Sequence, residues 1–176
     1  MQVGKNKQGF TIVELLIVIV VIGILAAITI VSFNGVTGRA NDTAVQSDLE
    51  TMGKKLQLYY VDKGAFPQNT SDLVAASLVA SKGAYMTTPA VAVNLGYCTN
   101  SGQTGYALFA MSKSGNRYMI TNTSSVTTDT TGTVWNSGTV TLGGQCGAVS
   151  MNAPFTHGYV SSDTTTGPWR AWTGNN

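Results

Sequence analysis

The chain has 176 residues, of which 10% are charged, and its formal net charge is +2 at pH 7. This length suits one modest domain, or a small domain with an appendage. Lys5 and Lys7 supply the excess charge, because the other eight Lys and Arg balance the eight Asp and Glu that follow position 9. A chain that is neutral beyond its first nine residues gives no electrostatic argument for binding nucleic acid or acidic lipid.

The sequence contains no pattern that predicts catalysis, a cofactor or a metal site. The chain has one histidine, His157, and no carboxylate pair spaced for acid–base chemistry. No glycine-rich phosphate loop follows a predicted strand, and two cysteines with one histidine are too few for a metal centre. We therefore predict a protein that is not an enzyme and that needs no cofactor, with His157 in a surface loop.

The first predicted element is an apolar helix. From Phe10 to Phe33 there are 24 residues, and Glu14 is the only ionisable one. At about 1.5 Å per residue the helix is about 36 Å long, enough to cross a hydrocarbon core of about 30 Å. Because Lys5 and Lys7 precede it, we expect a single membrane pass with the N-terminus in the cytoplasm and the rest of the chain exported.

Three interpretations of this segment compete. A secretory signal peptide cut after Ala27 fits the basic start and the apolar centre, but the apolar run continues beyond that point to Phe33. A plain signal anchor does not explain Glu14, because a carboxylate inside hydrocarbon costs several kcal/mol and marks a functional position by default. The third interpretation is a processed precursor that uses this carboxylate.

The stretch "KNKQGFTIVELL", residues 5–16, resembles the N-terminal signature of type IV prepilins and of the related pseudopilins of type II secretion. The stretch "GILAAI", residues 23–28, is also typical of their N-terminal helix. The resemblance implies that a prepilin peptidase cuts after Gly9 and that the new terminal residue, Phe10, is N-methylated. It also implies that Glu14 meets the Phe10 amine of a neighbouring subunit during assembly. Within one helix, Phe10 and Glu14 lie one turn apart, so the pair could instead neutralise itself.

The chain departs from many type IV pilins where those proteins have a proline 21 residues after the mature phenylalanine. Val31 occupies that position here. Gly35 and Gly38 could supply a hinge instead, because each glycine lowers helix propensity by about 1 kcal/mol. The resemblance therefore does not locate a kink or an unwound turn in this helix.

The predicted fold is α+β, with a long N-terminal helix packed on a C-terminal antiparallel sheet. We expect a leader at 1–9, a transmembrane and assembly helix at 10–37, and a globular domain at 38–176. Within that domain we expect an amphipathic helix at 38–63, a linker at 64–97, and sheet and loops at 98–176. The amphipathic helix carries an apolar stripe that predicts packing on its own sheet rather than a coiled-coil seam: Val45, Leu49, Met52, Leu56 and Tyr59. Gly64 ends this helix and Pro67 prevents its resumption.

Shorter elements follow the long helix. A helix is predicted from Ser71 to about Ser81, with Ser71 as its cap. Strands are predicted at 105–111 and 117–122 around a Ser-Gly-Asn turn, and again at 133–135 and 139–142. The tail after Cys146 is rich in Gly, Ser and Thr and is expected to loop over the surface.

Cys98 and Cys146 lie 48 positions apart. In an exported protein they predict one disulfide that closes a long loop, and two unrelated buried thiols are the alternative.

The tail motif "GPWRAW", residues 167–172, places Trp169 and Trp172 around Arg170. These aromatic residues could anchor the tail to the domain, or they could stack on DNA bases or a sugar.

We therefore hypothesise a structural subunit of a type IV pilus that polymerises with identical or related pilin subunits through its N-terminal helix. The resemblance implies a prepilin peptidase and the pilus assembly machinery as further partners. It also implies that the membrane holds the precursor and that the cell surface carries the assembled pilus. Expected roles are adhesion, twitching motility or DNA uptake. The alternatives are a pseudopilin of a type II secretion system and a monomeric, membrane-anchored surface binding protein.

Overall fold

The computed structural model describes residues 9–87, 93–130, 142–151, 155–158 and 169–174. The chain forms two compact units, Met1–Thr37 and Gly38–Asn176, which we call the N-terminal and C-terminal units. Helix α1, Ile12–Lys63, contributes residues to both units. Gly64 follows it with a φ of 76°, the left-handed conformation that glycine adopts without strain. Its amide donates to the carbonyl of Tyr60 at 2.8 Å, so the long helix ends where the sequence predicts.

The C-terminal unit combines the second part of α1 with short helices and an antiparallel sheet. Among the described residues, five strands form this sheet in the order β4-β3-β2-β1-β5. The short elements, in chain order, are α2 Thr70–Ala75, β1 Leu95–Thr99, β2 Tyr106–Met111, β3 Arg117–Thr121, β4 Ser124–Thr128, α3 Leu142–Ala148 and β5 Phe155–His157, with 3-10 turns at Lys82–Ala84 and Ala171–Thr173. The predicted α+β architecture is confirmed.

Some short elements differ from the predicted ones. Strands β2 and β3 lie where they were expected, but β1 begins at Leu95, inside the predicted linker, and β4 and β5 were not predicted. Residues 131–141, which hold the predicted strand at 133–135 and most of that at 139–142, lie outside the described residues. Leu142, expected to end that strand, begins α3 instead. His157, expected in a loop, lies in β5, where its backbone pairs with that of Gly96.

Helix α2 is shorter than predicted and has a different cap. The side-chain oxygen of Asn69 accepts a hydrogen bond from the backbone N–H of Asp72 at 2.9 Å. An asparagine at this position satisfies a backbone donor that the first helical turn leaves free. Ser71 therefore lies inside the helix rather than at its cap, and the helix already ends at Ala75.

The main core lies between α1 and one face of the sheet. The predicted stripe is confirmed, because four of its members are completely buried and Tyr59 is half-buried against the same core: Val45, Leu49, Met52 and Leu56. They share this core with Leu95, Tyr97 and Leu108 of β1 and β2. Gly53 lies on the same side of α1, where an added Cβ would be 2.8 Å from the Tyr106 hydroxyl. The absence of a side chain there allows the helix to approach the sheet closely.

A smaller core covers the opposite face of the sheet. Cys98, Ala107 and Phe109 point to this face and are completely buried. Helix α3 lies over them, and its Cys146 forms a disulfide with Cys98 across a Cα–Cα distance of 5.8 Å. The predicted disulfide is confirmed, and it joins β1 to the segment that covers the sheet.

The described residues 169–174 of the tail pack into the main core, where a surface loop was predicted. Trp172 is 1% exposed and belongs to the same cluster as Leu49 and Leu78. The carbonyl of Thr173 accepts a hydrogen bond from the Ala80 amide at 3.0 Å. The tail therefore completes the core that α1 and the sheet begin.

Candidate assembly site at the start of the apolar helix

The predicted cleavage position lies in an open stretch of backbone just before α1. Gly9 and Phe10 precede the first helical residue, Ile12, and neither has regular secondary structure. The Phe10 side chain is 85% exposed, and no atom lies within 4 Å of the point where a Gly9 side chain would begin. Among the described residues, nothing crowds the Gly9 side of this bond.

Glu14 is held at the start of α1 by reciprocal hydrogen bonds with Thr11. Glu14 Oε2 accepts from the Thr11 backbone N–H at 2.8 Å and from the Thr11 hydroxyl at 2.7 Å. In return, the Glu14 N–H donates to Thr11 Oγ1 at 3.2 Å. This arrangement is a capping box, in which two backbone donors that the first turn leaves free are satisfied together. It also places the negative charge at the positive end of the helix dipole.

Thr11 was not among the predicted site residues, although the sequence contains a signal for it. A Thr three residues before a Glu, ahead of an apolar run, is the usual pattern of a capping box. The structure thus shows a local role for Glu14 beside the assembly role that the resemblance implies. In the uncut chain the Phe10 nitrogen belongs to a peptide bond, and it immediately precedes the Thr11 nitrogen to which Glu14 binds. An amine released at Phe10 would therefore arise next to this carboxylate.

The helix that follows Glu14 is apolar on every side. The large apolar side chains that the structure describes between Phe10 and Val36 are 48–85% exposed. By length and composition this part of α1 can cross a membrane. A helix that is apolar all round must be surrounded by lipid or by protein. This part of the helix therefore needs lipid or other protein around it.

Two carboxylates of α1 fix the helix within the C-terminal unit. Asp48 accepts hydrogen bonds from the Ser81 N–H at 2.6 Å, from the Ser81 hydroxyl at 3.0 Å and from the Tyr85 hydroxyl at 3.0 Å. Burial of Tyr85, together with the Asp48 charge, raises the pKa of Tyr85 well above its ordinary value. Asp42 accepts from the Asn116 amide at 2.8 Å and from the Ser114 hydroxyl, both in the turn between β2 and β3.

The tail tryptophans are engaged with the domain. Trp172 is buried, and the Trp169 ring meets Tyr85 edge-on at 5.5 Å between ring centroids. The Lys82 ammonium lies 5.9 Å from the centre of the Trp169 ring. The structure therefore supports the prediction that these residues anchor the tail. A buried Trp172 cannot stack on a nucleotide base or a sugar.

Residues 4–30 match the family described as "Prokaryotic N-terminal methylation motif". The chain is 34% identical over 101 residues to the "Type IV wide pilus major component PilA4" of Thermus thermophilus, which covers 57% of this chain and 77% of that protein. It is 34% identical over 86 residues to the "Type IV major pilin protein PilE1" of Neisseria gonorrhoeae, covering 49% and 40% of the two chains.

A third relative is the "Type II secretion system core protein G" of Pectobacterium carotovorum, 30% identical over 74 residues. That match covers 42% of this chain and 47% of the relative, so the likeness to it and to the Neisseria protein spans less than half of their length. These relatives are structural proteins and not enzymes. The signature around Gly9 and Glu14, the long helix on an antiparallel sheet, and these matches lead to one conclusion: the chain belongs to the type IV pilin family.

Proposed function

We propose that this pilin is a subunit of a type IV pilus, made as a membrane-anchored precursor. Residues 1–9 form a cytoplasmic leader, residues 10–37 the transmembrane and assembly helix, and residues 38–176 the globular domain on the filament surface. A prepilin peptidase cuts after Gly9, and Phe10 is N-methylated. The observation that carries this proposal is a single carboxylate, Glu14, held at the start of an apolar helix that is exposed on every side.

Assembly replaces lipid around the apolar helix by the helices of other subunits. Lipid and apolar side chains cover the helix about equally well, so apolar contact alone does not select one axial position. A carboxylate within that environment costs several kcal/mol unless a cation meets it. The Phe10 amine of a neighbouring subunit supplies such a cation, and the pairing then sets the axial register of the subunits.

The capping box reduces the stability that is gained when Glu14 pairs with a neighbouring subunit. Before assembly, Glu14 already accepts two hydrogen bonds from Thr11. Pairing with a neighbour exchanges part of this local arrangement for an ion pair, so the net gain in stability is small. We therefore assign Glu14 to the selection of register and not to the overall stability of the filament.

Two features favour a pilus over a secretion pseudopilus. The matched region covers 77% of the Thermus wide-pilus component but 47% of the secretion core protein. In addition, the C-terminal unit has a disulfide between Cys98 and Cys146, which links strand β1 to the helix α3 that covers the small-core face of the sheet. We propose surface attachment, twitching motility or DNA uptake as the roles of the filament.

Mass spectrometry of the N-terminal peptide tests the processing step. We expect protein from the native host to begin with a methylated Phe10. A chain that begins after Ala27 would indicate ordinary secretion, and one that keeps Met1 would indicate a plain membrane anchor. Either result would overturn the proposed processing.

A second experiment tests filament formation and the role of Glu14. We expect the wild-type chain in surface fibres that are released by shearing, whereas an anchored monomer would stay with the membrane. Glu14→Ala should be inserted and cut normally but should be lost from the fibres. Glu50→Ala is the matched control, because Glu50 is exposed on α1 beyond the apolar segment. Normal fibres from Glu14→Ala would exclude the assembly role of this carboxylate.

A further inference from the structure

The segment that covers the small-core face of the sheet has a low helix propensity. We call α3, Leu142–Ala148, together with Val149, Ser150 and Met151, the α3 cover. Its helix reads "LGGQCGA", with three glycines in seven residues. Glycine is the poorest helix former after proline, so this helix depends on contacts with the sheet for its stability.

Several sulfur-containing side chains lie in the small core beneath the α3 cover. Cys146 is bonded to Cys98 of β1. Around the disulfide, the partly buried side chains packed against the small core are Met111, Met119, Val149 and Met151. Met119 pairs directly across the strands with Phe109, which is completely buried beneath the cover. Three of these four described side chains are thioethers.

Met151 fits its site closely. An added Cβ on Gly105 would lie 2.6 Å from the Met151 methyl carbon and 3.3 Å from its sulfur. The thioether thus lies directly against bare backbone, in space that exists because residue 105 has no side chain. The Met151 N–H also donates to the Cys146 carbonyl at 2.7 Å, which joins this methionine to the disulfide-bonded residue.

We propose that Met151 is a reversible oxidation site whose sulfoxide releases the α3 cover from the sheet. A hydroperoxide transfers one oxygen to the thioether: the O–O bond breaks, an S–O bond forms, sulfur loses two electrons and the peroxide leaves as water or an alcohol. The product is polar and larger, so it fits the close contact with the Gly105 backbone less well than the thioether does. Met151 is partly exposed, so peroxide reaches it, whereas Met52 is completely buried in the main core.

The disulfide makes the release reversible. Because Cys98 holds Cys146, the cover leaves its site on Phe109 but stays tethered to β1. A methionine sulfoxide reductase restores the thioether: two thiols supply two electrons and two protons and become a disulfide, and the oxygen leaves as water. The cover can then return to the same position. This inference concerns the folded C-terminal unit and does not depend on filament assembly.

The test exposes the full chain in detergent to hydrogen peroxide and follows each methionine by peptide mass spectrometry. Met151 should form sulfoxide faster than Met52. Hydrogen exchange in residues 142–151 should then rise by about 5- to 30-fold, the change that a modest loss of local stability produces. Met151→Leu keeps the size and apolar character of the side chain but cannot form a sulfoxide at this position. Exchange in this variant should therefore respond to peroxide far less than in the wild type, although Met111 and Met119 remain oxidisable.

Met86→Leu is the matched control, because Met86 is also partly buried but lies outside the small core. Its exchange should respond to peroxide as in the wild type. If Met151→Leu alters the α3 cover before oxidation, the wild type alone still tests the proposal. Its hydrogen exchange in residues 142–151 must then rise in proportion to the fraction of Met151 sulfoxide. The proposal fails if Met151 reacts no faster than Met52. It also fails if exchange rises equally in Met151→Leu, or if Met151 sulfoxide forms with no change in exchange.

Discussion

Replacing Asp48 by alanine should destabilise the C-terminal unit through one buried hydroxyl. The Tyr85 side chain is completely buried, so its hydroxyl cannot reach water when the Asp48 carboxylate is removed. A buried polar group left without a partner costs about 1–3 kcal/mol. Ser81 is exposed, and its two donors can bind water instead. We therefore expect Asp48→Ala to lower the free energy of unfolding by about 2 kcal/mol.

The assay is urea unfolding of the full chain in detergent, followed by the fluorescence of tryptophan, since Trp172 is buried in the folded unit. Asp62→Ala is the control. The Asp62 side chain is 69% exposed and pairs with the adjacent Lys63, so the change should stay within about 0.5 kcal/mol.

A double-mutant cycle tests the reason for the effect. Tyr85→Phe removes the hydroxyl that Asp48→Ala leaves without a partner, so the double variant should be no less stable than Asp48→Ala alone. If Tyr85→Phe destabilises the Asp48→Ala protein as much as it destabilises the wild type, the explanation by an orphaned hydroxyl is refuted.

The remaining predictions concern pH, the disulfide and one glycine. Partial burial alone would raise the pKa of Asp42, but hydrogen bonds, led by the one from Ser114, lower this pKa below its ordinary value. The free energy of unfolding should therefore fall by about 1 kcal/mol in acid, below the ordinary pKa of Asp near 4. Asp42→Asn should lose this pH dependence in urea titrations. Replacing Cys98 and Cys146 by alanine opens a loop of 48 residues and should lower the free energy of unfolding by about 4 kcal/mol. Reduction of the wild type should give the same loss of stability. A loss under about 1 kcal/mol would contradict the loop-closure argument. Gly53→Ala should lower the free energy of unfolding by about 1–3 kcal/mol, because the added methyl group clashes with Tyr106. Gly35→Ala is the control and should not destabilise the protein, because the space around Gly35 is open. Equal effects of the two substitutions would count against the close approach of helix and sheet.

Patterns with a strong period predicted the large elements. The apolar run and the stripe from Val45 to Tyr59 located α1, because helix periodicity persists over many turns. Gly64 marked the end of α1, since its backbone conformation disfavours other residues. Strands β2 and β3 were predictable because two short runs rich in apolar residues lie on either side of a recognisable turn.

The short elements depend on tertiary contacts that a local pattern does not contain. Helix α3 has three glycines and is stabilised by its disulfide and by the sheet beneath it, so its sequence does not predict a helix. Strand β4 is mostly exposed and rich in Ser and Thr, and this composition also suits loops. The role of Trp172 likewise depends on packing against residues nearly a hundred positions earlier.

At the candidate site, the sequence indicated Gly9, Phe10 and Glu14 through their resemblance to a known signature. It also contained the Thr11–Glu14 capping pattern, which becomes apparent only when Glu14 is considered as a local hydrogen-bond acceptor as well as a charge. A strong functional explanation for one residue can thus obscure a second, structural role for it.

The position of Trp172 sets an order of events during biogenesis. This side chain belongs to the same buried cluster as Leu49 and Leu78, and the neighbouring Thr173 bonds to Ala80, so the main core lacks a large member until residues 169–174 have been synthesised. The C-terminal unit therefore cannot complete its folding before this late segment has joined the cluster. A chain that stops short of this tryptophan would keep an incomplete core and would be open to proteases.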